Sequence, residues 1–322
     1  MLVKSALLAL LTIATYLPAI NAPFVYDDAH FVITNDVVVM GHWNWSTPRL
    51  LTLLSYRANY RTTGSRPMPF HVVNLALHLL NGFLVFRIAR SIFGFDSDVS
   101  LFTTAAFLVL PLASEAVIYI SGRSELLAAT FIFASILAFH RQWYVLAGLA
   151  FVLGVMSKEI ALLTPLLWWI TQPKSRYAAL FAFAGCGIGV ALSPFFYYFV
   201  TIWQNASWST FYAILSLGLR AFIPIGLSID HDFTSQPWIY GPIAAIVIGA
   251  IILAALYYRE TRPAMAFLFA AALLLPHVLV EPAGYLAEHH FYTPMLGFCI
   301  LITLGIGRMF PVVRLEGQCV EY

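Results

Sequence analysis

The sequence predicts an all-α protein, a polytopic transmembrane helical bundle with about ten spans and a long first outer loop carrying interfacial helices. Hydrophobic residues make up 61% of the 322 residues and charged residues only 10%. A soluble domain usually carries about 25% charged residues. The mean hydropathy is +0.84. The apolar runs are continuous and roughly 20 residues long, which is the length that a helix needs to cross a bilayer.

The apolar runs give the order of the spans along the chain. The expected spans are about 2–20, 70–89, 99–119, 124–140, 142–157, 160–171, 177–200, 238–257, 263–280 and 290–310. The first run lacks a clear cleavage site between small residues, so we interpret it as a retained signal anchor. We expect one membrane-embedded domain over residues 1–322, with a core module at about 1–200, accessory spans at about 201–322 and no soluble domain.

The distribution of charge predicts the orientation of the bundle. Basic residues lie in short loops on one side of the expected spans: Lys4, Arg87, Arg90, Arg141, Lys174, Arg176, Arg259, Arg262, Arg308 and Arg314. Acids lie on the other side: Asp27, Asp28, Asp36, Glu115, Glu125, Glu159, Asp230, Asp232, Glu281 and Glu288. Because Lys and Arg concentrate in short cytoplasmic loops, both termini are expected in the cytoplasm and the acidic loops outside.

The segment 21–30, directly after the first span, contains the strongest catalytic candidates. Asp27 and Asp28 are adjacent carboxylates where a span meets water, with Tyr26 and His30 beside them. Paired acids at a membrane surface are candidates for general-base chemistry. The alternative interpretation is two solvated acids at the end of a helix.

The first outer loop, from Asn21 to about Pro69, is too long to be a simple connector. Ser46-Thr47-Pro48 predicts a helix start with proline at the first helical position, and residues 49–57 are expected to form an interfacial helix. The basic residues that follow on this loop are Arg57, Arg61 and Arg66. Outside the membrane they favour an anionic partner, either lipid headgroups or the phosphate of a lipid-linked substrate.

Ionisable residues at the outer ends of later spans are further candidates. Glu115 and Arg123 flank a tight outer turn, and they are expected either to form a structural ion pair or to contact substrate. Lys158 lies in the next outer turn, where it either reaches a phosphate or pairs with Glu159.

Two segments in the second half of the chain raise the question of a metal. Asp230-His231-Asp232 follows residues 211–228, which we interpret as a re-entrant or surface helix because a span there would invert every later helix. Glu288-His289-His290 begins the last expected span. Three neighbours in sequence do not readily converge on one ion, so no metal ligand is assigned. No cofactor is certain, and a divalent metal stays an open alternative.

Six short stretches occur in an order that is similar to one group of enzymes. They are Phe24-Val25-Tyr26-Asp27-Asp28; 66–74 with His78; Glu115-Ala116-Val117 with 121–127; Ser157-Lys158-Glu159; 224–232; and 288–294. Together they resemble the GT-C superfamily of polytopic glycosyltransferases, in particular the membrane portion of the O-mannosyltransferases that carry tetratricopeptide repeats, and their bacterial relatives. Two departures are visible: no such repeats occur here, and His289 stands where relatives commonly have arginine.

The resemblance implies transfer of a sugar from a polyprenyl-phosphate donor to an acceptor hydroxyl on the outer membrane face, with Asp27 or Asp28 as the base. A single displacement with one base predicts inversion at the anomeric carbon. The candidates for contacts with the donor phosphate or substrate are Arg57, Arg66, Glu115, Arg123, Lys158, Asp230, His231, Asp232, His289 and His290. The expected partners are the lipid-linked donor, membrane lipid and a protein, lipid or glycan acceptor, without nucleic acid. The expected location is the bacterial inner membrane, with a periplasmic active site.

Two other classes of function stay open at this point. One is a transporter or flippase of lipid-linked or small substrates, and the other is a non-catalytic membrane assembly factor. A transporter predicts ionisable groups at mid-span or duplicated halves, whereas most charges here lie at one end of the spans. The identity of the sugar and of the acceptor cannot be read from the sequence.

Overall fold

The structure is a computed structural model that describes residues 1–45, 47–172, 240–258, 261–280 and 287–309, with a few positions between 184 and 222. In this part of the chain the secondary structure is helical throughout and contains no β-strand, which confirms the all-α prediction. The expected span 177–200 and most of the segment 211–228 lie outside the described residues.

The described α-helices are α1 (Leu2–Tyr16), α2 (Asp36–Val39), α3 (Leu50–Thr63), α4 (Pro67–Ser91), α5 (Ser97–Val109), α6 (Ser114–Ile118), α7 (Arg123–His140), α8 (Tyr144–Ser157), α9 (Thr164–Thr171), α10 (Tyr240–Tyr257), α11 (Arg262–Val280) and α12 (Met295–Met309). Short 3-10 turns lie at Leu17–Ala19, Pro111–Ala113, Ile120–Gly122, Glu159–Leu163 and Glu288–Phe291. Residues Ala29–Ile33 form one π-helical turn.

Three helical segments are long and apolar enough to cross a membrane: Leu2–Ala19, Pro67–Ser91 and Ile120–His140. A fourth candidate is the pair Ser97–Val109 and Pro111–Ile118, which is bent by 53°. Proline explains the bend, because its ring lacks an N–H and clashes with the preceding turn of a helix. The prediction of about ten spans is not confirmed, since only three candidate spans, or four with the bent pair, are found among the described residues.

Helix α7 lies at the centre of the bundle and packs against α4, α8 and α9. In Ile120–His140, which contains α7, 78% of the most hydrophobic stretch is buried inside the protein. In Leu2–Ala19, which contains α1, the buried share is 11%. A helix that is apolar on all sides needs such a position or a lipid surface. Helix α12 packs against α5 and α11, and the hydroxyls of Thr103 and Thr303 meet at 3.0 Å between α5 and α12.

A buried hydrogen-bond network joins three parts of this core. Tyr292 Oη lies 2.8 Å from His78 Nδ1 and accepts a hydrogen bond from Asn81 Nδ2 at 3.2 Å. Asn81 also donates to the carbonyl of Leu126 and accepts from Thr130 Oγ1 at 2.7 Å. Each of these polar groups is satisfied, so the network fixes α4 against α7 and the segment before α12 without leaving a costly unpaired donor.

The first outer loop is folded onto the end of the bundle. Its apolar side chains form a small second core, which consists of Val32, Val37, Val38, Leu53, Tyr56, Phe70 and Ile120. A helix is present where the interfacial helix was predicted, as α3, with Leu50 and Leu53 buried. Burial of these side chains, at roughly 25 cal/mol per Å² of apolar area, attaches the loop to α4 and to the start of α7.

The predicted start of the interfacial helix was wrong. Proline is not the first helical residue, because Arg49 adopts a left-handed conformation with φ of 51° and α3 begins at Leu50. Such a backbone costs about 1 kcal/mol or more outside glycine. Arg49 forms a bidentate ion pair with Glu159: Nε donates to Oε2 at 3.1 Å and Nη2 donates to Oε1 at 2.5 Å. This pair holds the start of α3 against the turn after α8.

Arg123 joins the loop to the bundle. It is fully buried, and its described hydrogen-bond partners are all neutral: Asn74 Oδ1 at 2.8 Å, Asn59 Oδ1 at 2.7 Å, the Phe70 carbonyl at 3.0 Å, and the carbonyl and hydroxyl of Ser55 at 3.3 and 3.4 Å. The guanidinium also lies 4.7 Å from the ring centroid of Tyr56. One side chain on α7 therefore connects α3 and α4.

We expect Arg123→Gln to destabilise the fold by about 3 kcal/mol or more, because several buried acceptors would lose their donor. The measurement is the thermal unfolding midpoint in detergent, together with the amount of monodisperse protein on size exclusion. Arg66→Gln is the matched control, since Arg66 is exposed on the same loop and surface substitutions usually change stability by less than about 0.5 kcal/mol. Equal midpoints for both variants would contradict this role of Arg123.

Candidate functional site

Asp28 is buried and holds the start of the first outer loop on the bundle. Its side chain is 1% exposed. Oδ1 accepts hydrogen bonds from the backbone N and the Oγ of Ser121, at 2.8 and 2.7 Å, and Oδ2 accepts from the backbone N of Val25 at 3.1 Å. Burial raises the pKa of Asp28, and the bonds from Ser121 and Val25 partly offset this rise.

Asp27 has the opposite environment. Its side chain is exposed, while its backbone N donates to Tyr119 Oη at 3.1 Å. Burial, followed by the charge of Asp27, raises the pKa of Tyr119 to about 12. Tyr119 therefore stays a neutral phenol at neutral pH and keeps the Asp27 backbone in place. The two adjacent acids thus differ: one is enclosed and bonded, and the other faces outward.

The outer turn between α6 and α7 supplies the contacts for both acids. Asn74 Nδ2 donates to the carbonyls of Val117, Tyr119 and Ile120 at 3.2–3.4 Å, so the irregular backbone of this turn is satisfied. A side chain at Gly122 would clash with the carbonyl of Ala116. The turn can therefore approach α6 closely, which brings Ser121 and Tyr119 to the loop.

Glu115 contacts His289 and does not form the structural pair with Arg123 that was considered from the sequence. Glu115 Oε1 lies 2.8 Å from His289 Nδ1, and Oε2 accepts from the His289 backbone N at 2.8 Å. The His289 ring lies 6.1 Å from the Tyr119 ring and 4.3 Å from the His290 ring, measured between centroids. A line of contacts therefore runs from Asp27 through Tyr119 to the two histidines.

Lys158 is buried and forms an ion pair with Glu125 at the start of α7, while Glu159 forms an ion pair with Arg49. The alternative in which Lys158 pairs with its neighbour Glu159 is therefore wrong. Glu125 was not among the assigned site residues, although an ionisable group in an apolar span is a recognised signal of a functional position.

The predicted arginines are not brought to one point. Arg57 Nη1 donates to the carbonyls of Val37, Val38 and Val39 at 3.1–3.4 Å, so it caps the end of α2. Arg66 is exposed at the start of α4, and Arg61 is exposed near the end of α3. Asp230, His231 and Asp232 lie outside the described residues.

Sequence reasoning missed the residues that position the acids. Tyr119 received no role, and Ser121 and Asn74 were noted only as parts of resembling stretches. Ser121 is also polar and lies beside Gly122 and Arg123 in an apolar region, which is a further signal that could have indicated a role for it. Chemically, the arrangement presents an exposed carboxylate on a fixed backbone, which suits the removal of a proton from an acceptor hydroxyl.

Known proteins resemble this chain over much of its length. Among curated proteins, protein O-mannosyl-transferase Tmtc1 of Drosophila melanogaster is 30% identical over 202 residues, which cover 57% of this chain and 22% of the relative. Tmtc2 of the same species is 33% identical over 154 residues, covering 41% and 16%, and TMTC3 of Homo sapiens is 26% identical over 147 residues, covering 40% and 16%. The matches thus span about a fifth of these relatives or less.

No solved structure matches the chain. The family model described as glycosyltransferase family 87 matches residues 66–282, which is more than half of the 322 residues. Together with the relatives, this confirms the resemblance to polytopic glycosyltransferases that the six stretches indicated. The chain therefore belongs to glycosyltransferase family 87.

Proposed function

We propose that the chain transfers a sugar from a polyprenyl-phosphate donor to an acceptor hydroxyl at the outer membrane face, with inversion at the anomeric carbon. Membership of a glycosyltransferase family and the apolar helices support sugar transfer at a membrane. The relatives are named protein O-mannosyl-transferases, so mannose and a protein hydroxyl are the first donor sugar and acceptor to test. The bacterial inner membrane, with the site on the periplasmic face, is the location that we propose.

Asp27 is the proposed general base, and the contrast between the two acids carries this proposal. A base must reach the proton of an incoming hydroxyl, and the exposed carboxylate of Asp27 can do so. The carboxylate oxygens of Asp28 accept hydrogen bonds from Ser121 and Val25, so the role of Asp28 is to position the loop. A base fixed by its neighbour loses little entropy when the acceptor binds.

Arg66 is the proposed contact for the donor phosphate among the cations of the first loop. It is exposed at the start of α4, where the positive end of the helix dipole also favours an anion. Arg57, Arg123 and Lys158 already have protein partners, so in this scheme they support the site and do not bind the phosphate directly. Positive charge beside the departing phosphate would stabilise the transition state.

We expect Asp27→Asn to reduce transfer by about 10²–10⁴-fold while the protein accumulates and unfolds as the wild type does, because the exposed side chain contributes a proton acceptor and little packing. The measurement is mannose transfer from a polyprenyl-phosphate donor to a peptide in membranes or detergent, normalised to folded protein.

Asp36→Asn is the matched control, because Asp36 is an exposed acid of the same loop with its carboxylate at the start of α2. Its transfer should stay within about twofold of the wild type. Full transfer by Asp27→Asn would remove the proposed base, and full transfer by the double variant with Asp28→Asn would favour the transporter or assembly-factor alternatives.

The buried carboxyl of Asp28 predicts a pH dependence of stability. Because its pKa is raised above the ordinary value of 3.8, the folded state binds a proton more tightly than the unfolded state does. The contribution of Asp28 to stability is therefore full below pH 3.8 and declines as pH rises through the folded pKa. The difference between the thermal unfolding midpoints of the wild type and of Asp28→Asn should therefore decrease as pH rises from 3.8 through the folded pKa. A constant or rising difference would contradict the raised pKa.

A further inference from the structure

Glu125, His289 and His290 form a cluster that the proposed transfer chemistry does not use. Glu125 lies in the first turn of α7, and the two histidines lie in the turn Glu288–Phe291 before α12. Each of the three offers one potential ligand atom, and these atoms lie within 4.8 Å of one another. Residues 164 positions apart in sequence thus converge on one point, which neighbouring residues in one stretch could not do.

One oxygen of this cluster lacks a partner in the described part of the chain. Glu125 is fully buried, and Lys158 binds its Oε1, but its Oε2 has no hydrogen-bond partner there. A buried carboxylate oxygen without a donor is destabilising, because it has lost its hydration without gaining a hydrogen bond. An unpaired oxygen on a carboxylate that lies near two imidazoles points to a ligand that carries positive charge.

The surroundings orient His289 in the way that metal sites usually require. Its Nδ1 is bonded to Glu115 at 2.8 Å, so Nε2 is the ring nitrogen that can face a cation. A carboxylate on the far side of a ligating histidine fixes the ring and raises its basicity. The Nδ1 of His290 accepts a hydrogen bond from the backbone N of Ala287 at 3.4 Å, so the backbone orients this ring as well.

We propose that Glu125, His289 and His290 bind one divalent transition-metal ion, with Zn²⁺ as the best chemical match. Two imidazoles and a carboxylate are an established zinc ligand set that leaves a fourth position open. Tetrahedral zinc with bonds of about 2.1 Å places its ligand atoms about 3.4 Å apart, so small side-chain rotations would close the present spacing.

The proposed ion would connect the start of α7 to the turn before α12.

The test is metal binding by the full chain, purified in detergent, stripped with a chelator and reloaded with Zn²⁺ or Co²⁺. We expect about one zinc per chain after desalting, measured by mass spectrometry, and the visible absorption of tetrahedral Co²⁺. His289→Gln and His290→Gln should lower zinc affinity at least about tenfold, and Glu115→Gln, which acts through His289, by about 10–100-fold.

His42→Gln is the control for surface binding, because His42 is exposed on the first loop. It should bind zinc as the wild type does. Folded wild-type protein with less than about a tenth of a zinc per chain would overturn the proposal, and so would equal zinc affinity in the two histidine variants and the control. The cobalt spectrum of the wild type tests the site even if a variant fails to fold, and neither readout depends on sugar transfer.

Discussion

The buried guanidinium of Arg123 is the interaction on which the outer half of this protein depends. Moving a permanent charge out of water is unfavourable, and no described carboxylate pairs with this guanidinium to offset the loss of hydration. Amide and carbonyl oxygens of α3 and α4 stabilise the charge instead, together with the aromatic faces of Tyr56 and Phe70. These acceptors can surround the charge only when the first loop is folded onto the bundle. The charge therefore selects one arrangement of the loop.

That arrangement would hold the proposed site in place on a surface loop, although loops are usually mobile. The turn after the bent span carries Ser121 and Tyr119, and both contact the segment with the two acids. The same turn leads directly into Arg123 and then into Glu125. The turn that contacts the proposed base, the buried Arg123 and the proposed metal ligand Glu125 thus follow one another along residues 119–125.

The sequence predicted the composition-driven features and not the pairings. Long apolar runs indicated the helical class, and leucine spacing indicated α3, because burial follows directly from hydropathy. The partners of Glu115 and Lys158 could not be predicted, since they lie 174 and 33 residues away and any nearby opposite charge fits a local pattern equally well. The start of α3 was wrong for a similar reason: the ion pair of Arg49 with the distant Glu159 accompanies a backbone that local propensity disfavours.

The double attachment of Asp28 to Ser121 has a consequence for recognition. Since this carboxylate ties the loop to the turn before α7, the backbone that carries the candidate base keeps one position relative to the bundle. Under the proposed transfer reaction, the depth at which the bilayer presents a donor headgroup would determine how that headgroup meets the fixed loop, so membrane thickness would influence transfer.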